Sequence, residues 1–382
     1  MLSGLFVLGA HTQAPELIPY RKGSLYGYSN DKKEIRVGPV YEYASTFREG
    51  MALVRKNGKY GYIDRSGNEV IGTVYPKAYR FSEGLASVMD DTNKWGFIDP
   101  KGRVVIAMQF EDVYDFNGGL AKVIINRKAG YINKAGRLVI PAEYDFADAF
   151  FTEGMAQVKK DGRYGYIDRS GRLLVPLAYE NGLAFSEGMA PVQKNGLWGF
   201  VDKTGTEVIK PKYSKAYMFK EGLAYVALNN KYGFVDKTGK EVIPLQYDDV
   251  NMFSEGLARV TMNNKSGYID KTGKLVIPIR FDSYGGTFKE GLAKVTVNDN
   301  KAYIDKTGNI VIPANYKLAE DFTEGLGMVF RNNMYGFVDR TGKEVIPPQY
   351  SECYSFKDGL ALVYVNRKAC YIDKKGTQYW EE

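Results

Sequence analysis

Two carboxylates return at fixed places along the 382 residues. One is an Asp, at Asp64, Asp168, Asp202, Asp236, Asp270, Asp305, Asp339 and Asp373; the other is a Glu followed by Gly, at Glu49, Glu83, Glu153, Glu187, Glu221, Glu255, Glu290 and Glu324. A pair of carboxylates could cleave a glycosidic bond, and a cluster could hold calcium. The Asp, however, opens runs such as Asp236-Lys237-Thr238-Gly239. At the first position of a turn its side chain accepts backbone N–H bonds. The Glu reads in the same way, as a turn cap or the partner of a neighbouring Lys. A residue present in every unit serves the unit, whereas catalysis needs a unique constellation, and no unique acidic pair stands out.

Other chemistries lack their residues. The single histidine is His11. Without it the chain has no imidazole base, no Ser–His or Cys–His nucleophile pair and no His-based zinc site. There is no phosphate-binding Gly-x-x-x-x-Gly-Lys-Ser loop. No cofactor or metal is implied. The two cysteines, Cys353 and Cys370, are too few for a disulfide framework and read as buried thiols.

Positions that change from unit to unit are better places for recognition. Three residues after each Glu-Gly step stand Ser87, Lys122, Gln157, Tyr225, Arg259 and Lys294. Alternation along a strand sets them opposite a recurrent Ala and Val, which predicts an exposed strip suited to an extended ligand. We take these six as candidate binding residues.

The elements that must carry them are repeats. A Gly anchors the register at Gly27, Gly61, Gly96, Gly130, Gly165, Gly199, Gly233, Gly267 and Gly336, with Ala302 and Cys370 in two units; every spacing is 34 or 35. Such a unit cannot bury its apolar surface alone and must stack on its neighbours. In the unit from Phe219 to Tyr247, Leu223–Ala227, Tyr232–Asp236 and Glu241–Ile243 read as three strands. A tight Asn229-Asn230 turn and an Asp236–Gly239 turn separate them. Tyr247 to Phe253 reads as a connecting turn, and the anchor Gly leaves room for a neighbouring ring. The fold predicted is all-β: about eleven three-stranded antiparallel meanders stacked as an open β-solenoid or superhelix. A β-propeller ring, or two rings, is the alternative. Residues 15–382 form one array, and the degenerate unit 15–46 serves as an N-terminal cap.

Lys94-Trp95-Gly96-Phe97-Ile98-Asp99 and Leu197-Trp198-Gly199-Phe200-Val201-Asp202 resemble the bacterial WG repeat, and the resemblance runs from about Glu16 to the end. It implies a repeat scaffold, often exported, and supplies no catalytic residues.

The formal net charge is +7. It comes mainly from turn residues such as Lys203, Lys237, Lys271 and Lys306, which predict a basic ridge. Acidic residues alternate with the basic ones and no nucleic-acid motif is present, so nucleic acid is not an expected partner. Residues 1–14, with their apolar stretch Leu2–Ala10, read as the remnant of a signal peptide. No further segment is long enough for membrane insertion. The expectation is a non-enzymatic exported scaffold that binds a protein or glycan partner of the cell envelope. The alternative is a carboxylate-based hydrolase acting on a polysaccharide.

Overall fold

The structure, a computed structural model, describes residues 17–282 and 285–382. The signal-peptide reading of residues 1–14 lies outside them. All regular structure in the described residues is β, and no helix there is long and apolar enough to cross a membrane.

The first unit contains β1 (Ile18–Lys22), β2 (Leu25–Ser29) and β3 (Ile35–Tyr41). The second contains β4 (Tyr43–Ala44), β5 (Met51–Lys56), β6 (Lys59–Asp64) and β7 (Glu69–Tyr75). Its sheet runs in the order β4-β5-β6-β7, all antiparallel. Later units repeat this plan. The stacked antiparallel meanders expected from sequence are present, and most gain a short strand in the segment read as a connecting turn; the unit starting at Ala293–Val297 instead continues the sheet of the preceding unit through Leu275–Asp282. At two residues, that strand is too short to leave a periodic signal.

Local chemistry sets the turns. Asn57-Gly58, between β5 and β6, has φ of 51° and 75°, as a type I′ hairpin requires. The Glu-Gly step is a second tight turn of the same kind: Glu49 and Gly50 have φ of 53° and 81°. Asp64 Oδ1 accepts the N–H groups of Ser66 at 2.8 Å and Asn68 at 2.9 Å, the turn role expected for this Asp. The anchor glycine has a different reason from the one expected. A Cβ on Gly61 would lie 2.5 Å from the carbonyl oxygen of Ile71, in the next strand of the same unit. The close neighbour is bulged backbone between the Tyr60↔Tyr75 and Tyr62↔Ile71 pairs, not a ring.

The core lies between units. Met51, Leu53, Tyr62 and Ile71 of the second unit pack with Ala78, Phe81, Ala86, Val88 and Ile98 of the third. Tyr62 meets Phe81 edge-on at 5.0 Å, and the pairing recurs as Phe234–Phe253 and Phe337–Phe356. Both faces of each small sheet are therefore covered, as sheet-on-sheet stacking requires.

The two ends of the array meet. The terminal strand Trp380–Glu381 pairs in parallel with β1 through Arg21↔Trp380 and Lys22↔Glu381. It takes the place in the first sheet that β4 takes in the second. Ile18, Tyr20, Leu360 and Tyr379 form a small core across this seam. The superhelix is thus joined end to end, as in the ring alternative, and the first unit packs on the last.

Candidate functional site

The six variable residues sit on the strand that follows the Glu-Gly hairpin, or Gly118-Gly119 in the case of Lys122, each opposite the recurrent ring; Lys122 faces Tyr131 and Arg259 faces Tyr268. They do not form an exposed strip. Ser87, Lys122, Gln157 and Arg259 are buried, and Tyr225 and Lys294 are half-buried. In a sheet sandwiched by neighbours both faces are interior, so alternation does not mark an outer side. Lys122 Nζ donates to the carbonyl of Ala147 in the next unit at 3.1 Å and lies 3.6 Å from the centre of the Tyr114 ring. Its burial lowers its pKa against the pull of Asp112 and Asp148. Gln157 Nε2 donates to the Tyr166 hydroxyl. Arg259 donates to Asp249 at 2.7 Å and to Thr261 at 2.6 Å. Lys294 pairs with Glu320, and Tyr225 stacks on Tyr217 with ring centres 5.2 Å apart. Ser87 Oγ is buried without a partner.

The basic ridge is compensated. Lys203, Lys237, Lys271 and Lys306 pair with Glu153, Glu187, Glu221 and Glu255 at 3.1, 3.6, 3.1 and 3.1 Å. The same glutamates cap the hairpin of the following unit. Glu153 accepts the N–H groups of Glu187 at 2.6 Å and Gly188 at 2.9 Å. Both roles proposed for this Glu, cap and lysine partner, are met by one carboxylate.

What sequence reasoning missed is the seam. A recess of about 630 Å³ opens there between the hairpins of the last and second units. Leu360, Leu362, Tyr371 and Phe47 give it an apolar wall; Arg48, Arg80, Lys357 and Asp358 give it charge. Arg48 pairs with Asp115 at 3.7 Å. Arg80 and Lys357 are exposed and have no ion-pair partner among the described residues. Among the described residues cations therefore outnumber carboxylates on the wall. The only signal in the sequence was that the first unit lacks the Phe-x-Glu-Gly step, which the others carry as such or as Phe116-Asn117-Gly118-Gly119 and Phe356-Lys357-Asp358-Gly359. A smaller hollow of about 240 Å³ lies between the last two units, beside Met328 and Cys353. Cys353 and Cys370 are both free and buried.

A family model described as WG containing repeat matches ten consecutive segments, residues 26–60, 60–94, 95–128, 130–164, 164–198, 198–232, 232–265, 267–300, 302–335 and 335–368. No curated protein matches the chain in sequence. Solved structures similar to it include a eukaryotic initiation factor, at 11% identity over 96% of this chain and 95% of that one, TM-score 0.40. BamB from Moraxella catarrhalis is similar at 12% identity over 78% and 88%, TM-score 0.32. The computationally designed Ika8 protein is similar at 13% identity over 69% and 93%, TM-score 0.32.

Proposed function

Because the chain belongs to the WG containing repeat family, we propose that it is a non-enzymatic, exported scaffold that binds a protein or glycan of the cell envelope. The observation that carries this reading is the recess at the seam. It interrupts an otherwise regular array and combines an apolar wall, rings and an excess of cations among the described residues in one hollow. Ligand sites take that form: concave, mostly apolar, with a few placed polar groups. The hydrolase alternative needs two carboxylates roughly 5 to 10 Å apart across a cleft. Among the described residues the wall of this recess carries one carboxylate, Asp358. Export rests on the apolar stretch Leu2–Ala10 of the sequence.

The test compares wild type with an Arg80→Glu, Tyr354→Ala variant for binding to solubilised envelope protein and to envelope glycan. Both residues are exposed, so the melting temperature should hold while binding falls. Undiminished binding would move the site elsewhere. Release of new reducing ends from a polysaccharide would favour the hydrolase.

A further inference from the structure

We infer that the recess is a socket for a Phe-x-Glu-Gly hairpin supplied by a partner protein. The inference rests on the binding reading above and names the partner's chemistry.

The array contains its own template. In an interior joint the hairpin of one unit makes three kinds of contact. Its Phe meets the ring of the preceding unit, as Phe81 meets Tyr62 at 5.0 Å. Its Glu carboxylate accepts two amides from the following hairpin and pairs with a basic turn residue. For Glu153 these are Glu187 N–H, Gly188 N–H and Lys203. Its own Glu-Gly amides receive the carboxylate of the preceding unit, as Glu83 and Gly84 receive Glu49 at 2.7 and 2.8 Å.

At the seam each of these contacts has a receptor and no donor among the described residues. Tyr371, in the ring position of the last unit, lines the recess with no Phe against it. The amides of Glu49 and Gly50 receive no carboxylate of a described residue. Arg65, in the place of Lys203, lies instead over the Phe47 ring at 5.6 Å. Asp358 stands where eight of the other units present the capping Glu, and it lines the recess. The recess is the space that a hairpin of the first unit would fill.

The chain's own sequence does not spell that hairpin. Tyr20 pairs with Gly27 as Val54 pairs with Gly61, so Leu17 corresponds to Met51. Counting back along the sequence, the residues that align with Phe, x, Glu and Gly are Gln13, Ala14, Pro15 and Glu16. A second copy is a poor donor, because its hairpins are held in its own joints. The charge on Arg65 and Lys357, which have no ion-pair partner among the described residues, selects an acidic segment from another protein.

The experiment titrates the full chain with a labelled acetyl-Phe-Ser-Glu-Gly-Leu-amide peptide, the sequence of residues 81–85. Saturable binding is expected. Replacing Glu by Gln, or Phe by Ala, in the peptide should weaken it by about tenfold or more, as should Arg65→Ala in the protein, since a lost charge-assisted bond or ring contact is of that order. Arg65 is exposed, so the melting temperature should not move. Equal binding of the Gln peptide, indifference to Arg65→Ala or no saturable binding would overturn the socket. So would tighter binding of an oligogalacturonate that displaces the peptide, which would make the recess a uronate site. Any of these leaves the broader binding reading standing; that reading fails only if no envelope fraction binds.

Discussion

The hydroxyl of Tyr20 donates a hydrogen bond to the Glu381 carboxylate at 2.6 Å, between residues 361 positions apart. Around it Arg21 N–H donates to the Tyr379 carbonyl and Gly23 N–H to the Glu381 carbonyl, both at 3.1 Å. Burial first, and then this bond and the carboxylate charge, push the Tyr20 phenol up to about 12. The last four residues thus act as a latch that completes the first sheet.

Opening that latch should destabilise the whole array. Tyr379 is fully buried against the first unit. Tyr379→Ala should cost about 3 to 5 kcal/mol, the usual loss for a buried ring. A fall in the denaturation midpoint, with faster amide exchange in Ile18–Lys22, checks it. Unchanged exchange there would mean that the ends hold without the latch.

Gly239→Val faces two obstacles. The residue has φ of +85°, and a Cβ would lie 3.2 Å from Ile209 Cγ1 of the preceding unit. A loss of more than about 1 kcal/mol is expected for a β-branched residue in this conformation. An unaltered melting temperature would contradict the turn.

Phe234→Ala and Arg259→Ala should both destabilise. Phe234 is fully buried and should cost about 3 to 5 kcal/mol. Arg259 is buried with a 2.7 Å bond to Asp249. Its loss should cost about 1.5 to 3 kcal/mol, the range for a hydrogen bond to a charged group, and not the near-zero of a free surface residue. Chemical denaturation of the two variants separates these outcomes.

Acid should unfold the protein through its turns. Asp168, Asp305 and Asp339 are held below the ordinary carboxyl value, first by hydrogen bonds from the hydroxyls of Ser170, Thr307 and Thr341; burial works against this, and backbone N–H bonds add to it. A lowered folded pKa stabilises above the unfolded value, near 3.9, and that contribution is lost as pH falls through the folded value. The melting temperature should therefore be level from about pH 7 to 5 and drop below about pH 4. Asn133 shows that an amide can hold the same turn, accepting the N–H groups of Ala135 and Arg137. Converting the three Asp to Asn should shrink the acid loss, as thermal melts across pH would show; an undiminished loss would place the titrating groups elsewhere.

Much of the unit was legible because its signals are local. Asn229-Asn230, Asp236–Gly239 and the alternation in Tyr232–Val235 each specify a turn or strand within a few residues. The capping and pairing roles of Glu153 were also readable, since every unit repeats them. The strip through Lys122 and Arg259 was misread because exposure depends on what covers a strand, and here neighbours cover both faces.

The sequence by itself determined an all-β stack of similar units, with its register, its turns and the structural duty of its recurrent carboxylates. A period of 34 or 35 residues fixes what each unit is and that it must stack on the next. It does not fix the small rotation between units, which accumulates along the array. That rotation decides whether Trp380–Glu381 reaches β1, and so whether a seam forms. The recess between Phe47 and Tyr371 was decided there, by packing between residues at opposite ends of the chain.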